Sequence, residues 1–371
     1  MAQISVPLSY SKIVGDDLLC VLAEFEGKSH EELITAFENK IAEITTSPFA
    51  VALNSGTASI HLALRMLGVS TGDIVPVSNF TYVGSVNPIF YLGARPALID
   101  SEAETWNMDP GLLETCLRDL SSQKRLPKAI IVVHAYGMPA KMEEIVAIAK
   151  AFGIPIIEDA AEALGAKYKG HVTGSLGEIG VLSFNNNKSI TTFGGGALLT
   201  KSREVYEKAK FLATQAREDR PFYEHKEVGY NYRMSPLNAA YGLAQLGKMS
   251  QIIEERRATF EQYRKNLKSP EIGFLDEPEH FFSSRWLSTV LLGPKHDPVS
   301  IQSKLSEAGI ETRPLWNPMH CQPAFIKEIA YKSGVAEQLF RRGLCLPSGE
   351  NLSREAQEKV IVELRKNLGY K

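Results

Sequence analysis

Cysteine is scarce in this chain: Cys20, Cys116, Cys321 and Cys345 are the four among 371 residues. None forms a C-x-x-C pair, and no histidine stands beside them at the spacing of a metal site. No disulfide framework and no metal is expected; free thiols in a reducing cytoplasm are. An excess of one charge is missing too. Lys and Arg total 41 against 43 Asp and Glu, a net charge of −2, so no nucleic-acid partner is expected and an anionic ligand would need a local site. No apolar run approaches the roughly 18–20 residues that cross a bilayer, so no membrane partner is expected. The stretch "MAQISVPLSYSKIVGDD" (1–17) lacks a basic start followed by an apolar core, so no signal peptide is expected. There is no internal repeat, low-complexity tract or long charge block, no P-loop and no G-x-G-x-x-G fingerprint.

What remains is ordinary globular composition, 44% hydrophobic and 23% charged. The length exceeds one compact core, and a division into a large domain (1–245) and a smaller one (246–371) is expected. Buried strands are expected at "DIVPVS" (73–78), "RPALID" (95–100), "KAIIVV" (128–133), "IPIIED" (154–159) and "IGVLSF" (179–184). Between them, 57–67, 111–120 and 141–152 read as helices. This alternation predicts an α/β fold with a largely parallel central sheet, binding its ligand at the carboxyl ends of the strands. Residues 242–267 read as one long amphipathic helix, followed by a strand at 285–293 and helices at 298–309 and 353–368, a smaller α+β unit.

Four stretches carry chemistry, each with a plainer alternative. "NSGTASIHLAL" (54–64) starts a helix after Asn-Ser-Gly-Thr: a phosphate site at its N–H groups, or a simple cap by Ser55 or Thr57. "IPIIEDAAEALG" (154–165) ends a strand on Glu158 and Asp159: a ligand carboxylate, or a cap for a helix at "AAEAL". Phe80 and Tyr82 follow a strand: a ring stacked on a flat cofactor, or core. Lys188 in "SFNNNKSITTFGGGALLT" (183–200) is a solvated turn lysine, or a catalytic amine with glycines that let the backbone approach a bound group. Their order is what selects. A phosphate-suited helix start, an aromatic, an Asp at a strand end and Ser-x-x-x-x-Lys before glycines are the parts needed to hold pyridoxal 5′-phosphate.

From about residue 48 onward, these motifs, with "HAYG" (134–137) and "GYNYRMSPLNAAYGLAQL" (229–246), resemble the sugar aminotransferases of the DegT/DnrJ/EryC1/StrS group, within the fold type I (aspartate-aminotransferase-like) pyridoxal phosphate enzymes. Residues 214–233, 285–289, 311–320 and 345–349 resemble the subgroup that aminates UDP-4-keto-6-deoxy-N-acetylglucosamine. The resemblance implies Lys188 as Schiff-base lysine and proton shuttle, Asp159 on the pyridinium and Glu162 beside the phenolic oxygen. It implies Thr57, Ala58 and Ser183 on the phosphate, and Tyr82 as the stacking ring. Asn231 would reach the phosphate of the neighbouring subunit, making a homodimer with shared sites. Glutamate would be the amino donor and a nucleotide-linked keto sugar the acceptor.

In "ETRPLWNPMH" (311–320), Arg313 offers a fork suited to a phosphate, Trp316 a flat face and His320 a polar tip; the alternative is a loop pinned by Pro314 and Pro318. Segment 22–38 lacks the family's usual Gly-Pro-type sequence. The rival expectations are another acceptor (a GDP-linked 4-keto sugar, a dTDP-linked 3- or 4-keto sugar), a sugar dehydratase and a non-catalytic protein of the same fold. Relatives with dehydratase chemistry carry histidine at the lysine position, and a non-catalytic relative would lack Lys188 or Asp159.

Overall fold

The computed structural model describes residues 4–9, 21, 23, 27–350 and 352–370. Part of segment 22–38, most of 1–17 and Cys20 therefore lie outside the described residues.

Apolar residues at successive positions bury both faces of the strands. Eight strands form the main sheet: β1 (Phe49–Leu53), β2 (Ile74–Ser78), β3 (Arg95–Ile99), β4 (Ile130–Val133), β5 (Ile156–Asp159), β6 (Ile179–Ser183), β7 (Gly196–Thr200) and β8 (Ile329–Tyr331). Their order is β1-β7-β6-β5-β4-β2-β3-β8, parallel from β6 to β8. β7 runs antiparallel to both β6 and β1. Along β4, Ile131 faces one core with Ile60 and Leu64, while Ile130 and Val132 face another with Leu113 and Leu117. That two-sided burial is what a parallel sheet between helical layers requires. The expected strands and helices of this half form within a residue or two at their ends.

The expected 242–267 helix is two helices, Pro236–Leu246 and Met249–Asn266. Gly247, a weak helix former, sits at the break. The halves also serve different cores. Ala239 and Leu246 pack with Phe37 and Ile41, whereas Tyr263 packs with Val290, Leu344 and Val360. That second core lies on a four-stranded antiparallel sheet, in the order Ile272–Phe274, Ser288–Leu292, Gly343–Leu346, Arg313–Pro314. Two segments lie across the expected 245/246 division: β8 joins the main sheet, and Val6 bridges to Ile310. Among the described residues, no helix is long and apolar enough to cross a membrane.

The glycine run has separate physical reasons at each position. A Cβ on Gly196 would lie 2.4 Å from the Ser55 carbonyl carbon, and one on Gly56 3.2 Å from Ser183 Cβ, so strand ends and helix start touch backbone to backbone. Gly194 faces open space. Gly196→Ala is expected to destabilise the protein by about 1–3 kcal/mol or more, and Gly194→Ala to leave the melting temperature nearly unchanged. Equal melting temperatures for the two variants would contradict this packing.

Candidate active site

The carboxyl ends of β2, β4, β5 and β6 meet the start of the helix Gly56–Met66 at one edge of the sheet. There the structure encloses a cavity of about 670 Å³. β5 supplies two carboxylates on opposite faces. Glu158 turns away, fully buried, and accepts from His134 Nε2 (2.8 Å) and the N–H groups of Gly174, Leu176 and Gly177. Ala140 N–H donates to His134 Nδ1 at 2.9 Å, so Nε2 carries the ring proton. Burial opposes a charge on Glu158, but these donors prevail and hold its pKa below the usual carboxylate range.

Asp159 faces the cavity. Its carboxylate accepts from Ser85 Oγ (2.7 Å) and Ala161 N–H (3.1 Å). Residues 160–165 form turns, so the expected helix at "AAEAL" does not exist; the cap survives only as the Ala161 contact. Burial pushes the Asp159 pKa up against those donors and the nearby Lys188 charge.

Lys188 hangs from the loop between β6 and β7, its N–H donating to the Asn185 carbonyl. It is not a solvated turn residue: its side chain is 13% exposed, and Nζ donates to Glu162 Oε1 at 3.2 Å. Tyr136 N–H holds the other Glu162 oxygen at 3.0 Å. Burial pushes Glu162 up to about 7, with the Lys188 charge and the Tyr136 N–H pulling the other way.

Thr57, Tyr82, Ser183, Arg313 and Trp316 line the same cavity. Tyr82 is an exposed ring at its mouth, against Gly84; Phe80 is core, packed edge-on against Tyr136 and Trp316. Arg313 is also exposed, 3.3 Å from Glu311. Two expected residues, Ala58 and His320, do not line it, and neither does Asn231, which is expected at the neighbouring subunit's site. Ala58 is turned into the helix and its N–H donates to Ser55 Oγ (3.0 Å), leaving Gly56 and Thr57 as the helix-start residues on the cavity. Asn231 is exposed beside the cavity, its carbonyl accepting from Asn54, which lines it. His320 is held by Asn79 on one nitrogen and Glu337 on the other (3.1 Å). His320, Cys321 and Glu337 do gather ligand-type atoms within 4.8 Å of one another. The ring and carboxylate are already occupied by each other, Asn79 and Arg341.

Sequence reasoning missed Ser85, Tyr136 and Trp286. Tyr136 is buried at φ 54° and stacks on Trp316 with ring centres 4.3 Å apart. It sits in the "HAYG" motif, which was the available signal. Ser85 had none, since only folding brings it to Asp159.

The donor set fits pyridoxal phosphate. It offers a helix start with Ser183 beside it, a buried carboxylate at a strand end, and an amine facing the same space. The DegT/DnrJ/EryC1/StrS aminotransferase family model matches residues 25–365. EpsN of Bacillus subtilis, whose name assigns it provisionally to the pyridoxal phosphate-dependent aminotransferases, is 46% identical over 334 residues, 89% of this chain and 86% of that protein. GDP-perosamine synthase of Escherichia coli O157:H7 is 39% identical over 322 residues, 87% of this chain and 86% of that one. The PLP-form of Spr1654 from Streptococcus pneumoniae superposes with a TM-score of 0.88 at 25% identity, covering 98% of each chain.

The environment of Glu162 predicts a pH effect on the protein free of cofactor. A carboxyl whose pKa is raised on folding stabilises fully below its unfolded value of 4.5, and that contribution is lost as pH rises through about 7. Glu162→Gln should therefore gain stability relative to the unchanged protein between those values, by up to about 3 kcal/mol, and no further above. Urea unfolding across that range checks this; a pH-independent difference would contradict it.

Proposed function

The chain belongs to the DegT/DnrJ/EryC1/StrS aminotransferase family, and from that premise we propose that it transfers an amino group from glutamate to C4 of a nucleotide-linked 4-keto-6-deoxy sugar, first of all UDP-4-keto-6-deoxy-N-acetylglucosamine. That it is a pyridoxal phosphate-dependent sugar aminotransferase follows from the family; the acceptor is the proposal. The observation that carries the reaction is Lys188 beside Glu162, 3.2 Å away, in the cavity that Asp159 faces.

Lys188 would hold the cofactor covalently, Asp159 its ring nitrogen, and Thr57 and Ser183 its phosphate, with Tyr82 over the ring. When bound, the cofactor supplies an electron sink for carbanion character at the amino-bearing carbon. Asp159, fixed by Ser85 and Ala161, would set its carboxylate against that nitrogen. Lys188, when not bonded to the cofactor, would carry the proton between the substrate's amino-bearing carbon and the cofactor within each half-reaction. Glu162 tolerates either protonation state near neutral pH and stays within reach of the lysine. Arg313 at the mouth and the Trp316 face would take the nucleotide diphosphate and sugar; His320, held outside, would not.

The experiment is a panel of UDP-, GDP- and dTDP-linked keto sugars with glutamate, read by mass spectrometry of the product. The UDP-4-keto-6-deoxy-N-acetylglucosamine product is expected to dominate. The name of the GDP-perosamine synthase relative favours a GDP-linked acceptor as the second reading, and turnover of that sugar alone would select it. Amination of no member would reject the nucleotide-sugar reading. Lys188→Ala should abolish turnover and the visible absorbance band. Arg313→Ala should raise KM for the nucleotide sugar and spare the glutamate half-reaction.

The exposed Asn231, outside its own cavity, supports a homodimer in which it serves the partner's cofactor phosphate. Lys188→Ala and Asn231→Asp homodimers should each be inactive or nearly so. Co-refolded, about half the dimers are mixed and carry one site free of both lesions, so activity should return to roughly a quarter of the unmodified level. No recovery would mean that Asn231 serves its own subunit.

A further inference from the structure

Trp286 belongs to the C-terminal part of the chain, yet its ring lies under the reactive amine of the main sheet. Lys188 Nζ is 4.2 Å from the indole centroid, while the same amine donates to Glu162. A cation between an aromatic face and a carboxylate is held by both. The indole is itself fixed from several sides. Its Nε1–H donates to the Asn187 carbonyl (2.8 Å), one residue before Lys188. Its backbone carbonyl accepts from Arg256 Nη1 (2.6 Å), and Arg256, 1% exposed, also donates to the Ser348 carbonyl (3.3 Å) and Ser9 Oγ (3.4 Å). The ring lies parallel to Tyr136, 6.2 Å between centres at 12°.

We infer that Trp286 is a positioning residue for Lys188. Its face holds the free ammonium beside Glu162 while the lysine is not bonded to cofactor, and its Nε1–H sets the 185–188 loop. The inference rests on the proposed role of Lys188 as proton shuttle. A lysine stem has four rotatable carbons, and a freed amine that swings into the open cavity cannot return a proton to one carbon. The aromatic face confines it without lending it a fixed covalent or ionic partner. Tyr136 and Trp316 continue the same wall, so the surface proposed for the sugar is continuous with the surface that holds the lysine.

The test reads the position of the amine in the cofactor-free protein. Lysines are dimethylated reductively with 13C-formaldehyde, which keeps their charge, and the Lys188 methyl signal is identified by its loss in Lys188→Ala. The indole ring current should shift it upfield of the exposed lysines. In Trp286→Leu it should move to their position; in Trp286→Phe, which keeps a face and loses the Nε1–H, an upfield shift should persist. In the holoenzyme, Trp286→Leu should slow both half-reactions about 3- to 10-fold with little change in KM, and Trp286→Phe should recover part of this. An unchanged Lys188 signal in Trp286→Leu overturns the inference. Should that variant not fold, loss of the shift in Trp286→Phe overturns it as well. The signal is read without substrate, so failure of the proposed transamination would show separately, as no turnover by the unaltered holoenzyme.

Discussion

A carboxylate with no access to water holds the reactive edge of this molecule together. Glu158, at the end of β5, is satisfied by one imidazole N–H and three backbone N–H groups. An unpaired charge there would cost several kcal/mol; a fully hydrogen-bonded one ties β5 to the loop at 174–177 and to His134 after β4. Because side chains alternate across a strand, fixing Glu158 on one face aims Asp159 at the other. The turn that follows then carries Glu162 to Lys188.

The cavity has two kinds of wall. One is charged: Asp159, Glu162 and Lys188, all largely buried, with both carboxyls pushed up by burial and pulled down by the same amine. The other is aromatic: Trp286, Tyr136 and Trp316 in near-parallel sequence. Within the charged wall, Glu162, pushed up to about 7, can exchange a proton near neutral pH. The aromatic wall presents broad flat faces, held by hydrogen bonds from Trp286 to Asn187 and between Trp316 and Tyr136. A sugar aminotransferase, which must move a proton and also seat a sugar, can use both.

Contact between distant segments completes each wall. Tyr136 N–H holds Glu162, and Tyr136 hydroxyl accepts from Trp316 N–H at 3.0 Å. Arg256 on the helix Met249–Asn266 reaches the Trp286 carbonyl. The long helix expected from the pattern breaks at Gly247 because its two halves answer to different cores, and this break lets the second half approach the site from the C-terminal side.

Much of this was determined by local sequence. Strands β2 to β6 follow from unbroken apolar runs, and the helix at Gly56–Met66 from its cap and pattern. That Lys188, Asp159, Ser183 and Thr57 would share one cavity was legible from the order of their motifs along the chain. Tertiary structure alone decided the rest. Ala58 N–H is taken by the capping hydroxyl of Ser55. His320 is drawn out of the cavity by Asn79 and Glu337, which lie 241 and 17 residues from it in the chain. Ser85 reaches Asp159 across 74 residues, and Trp286, far along the chain, packs under Lys188. Such partnerships depend on where separate elements dock, and no local pattern of apolar and polar residues encodes that distance.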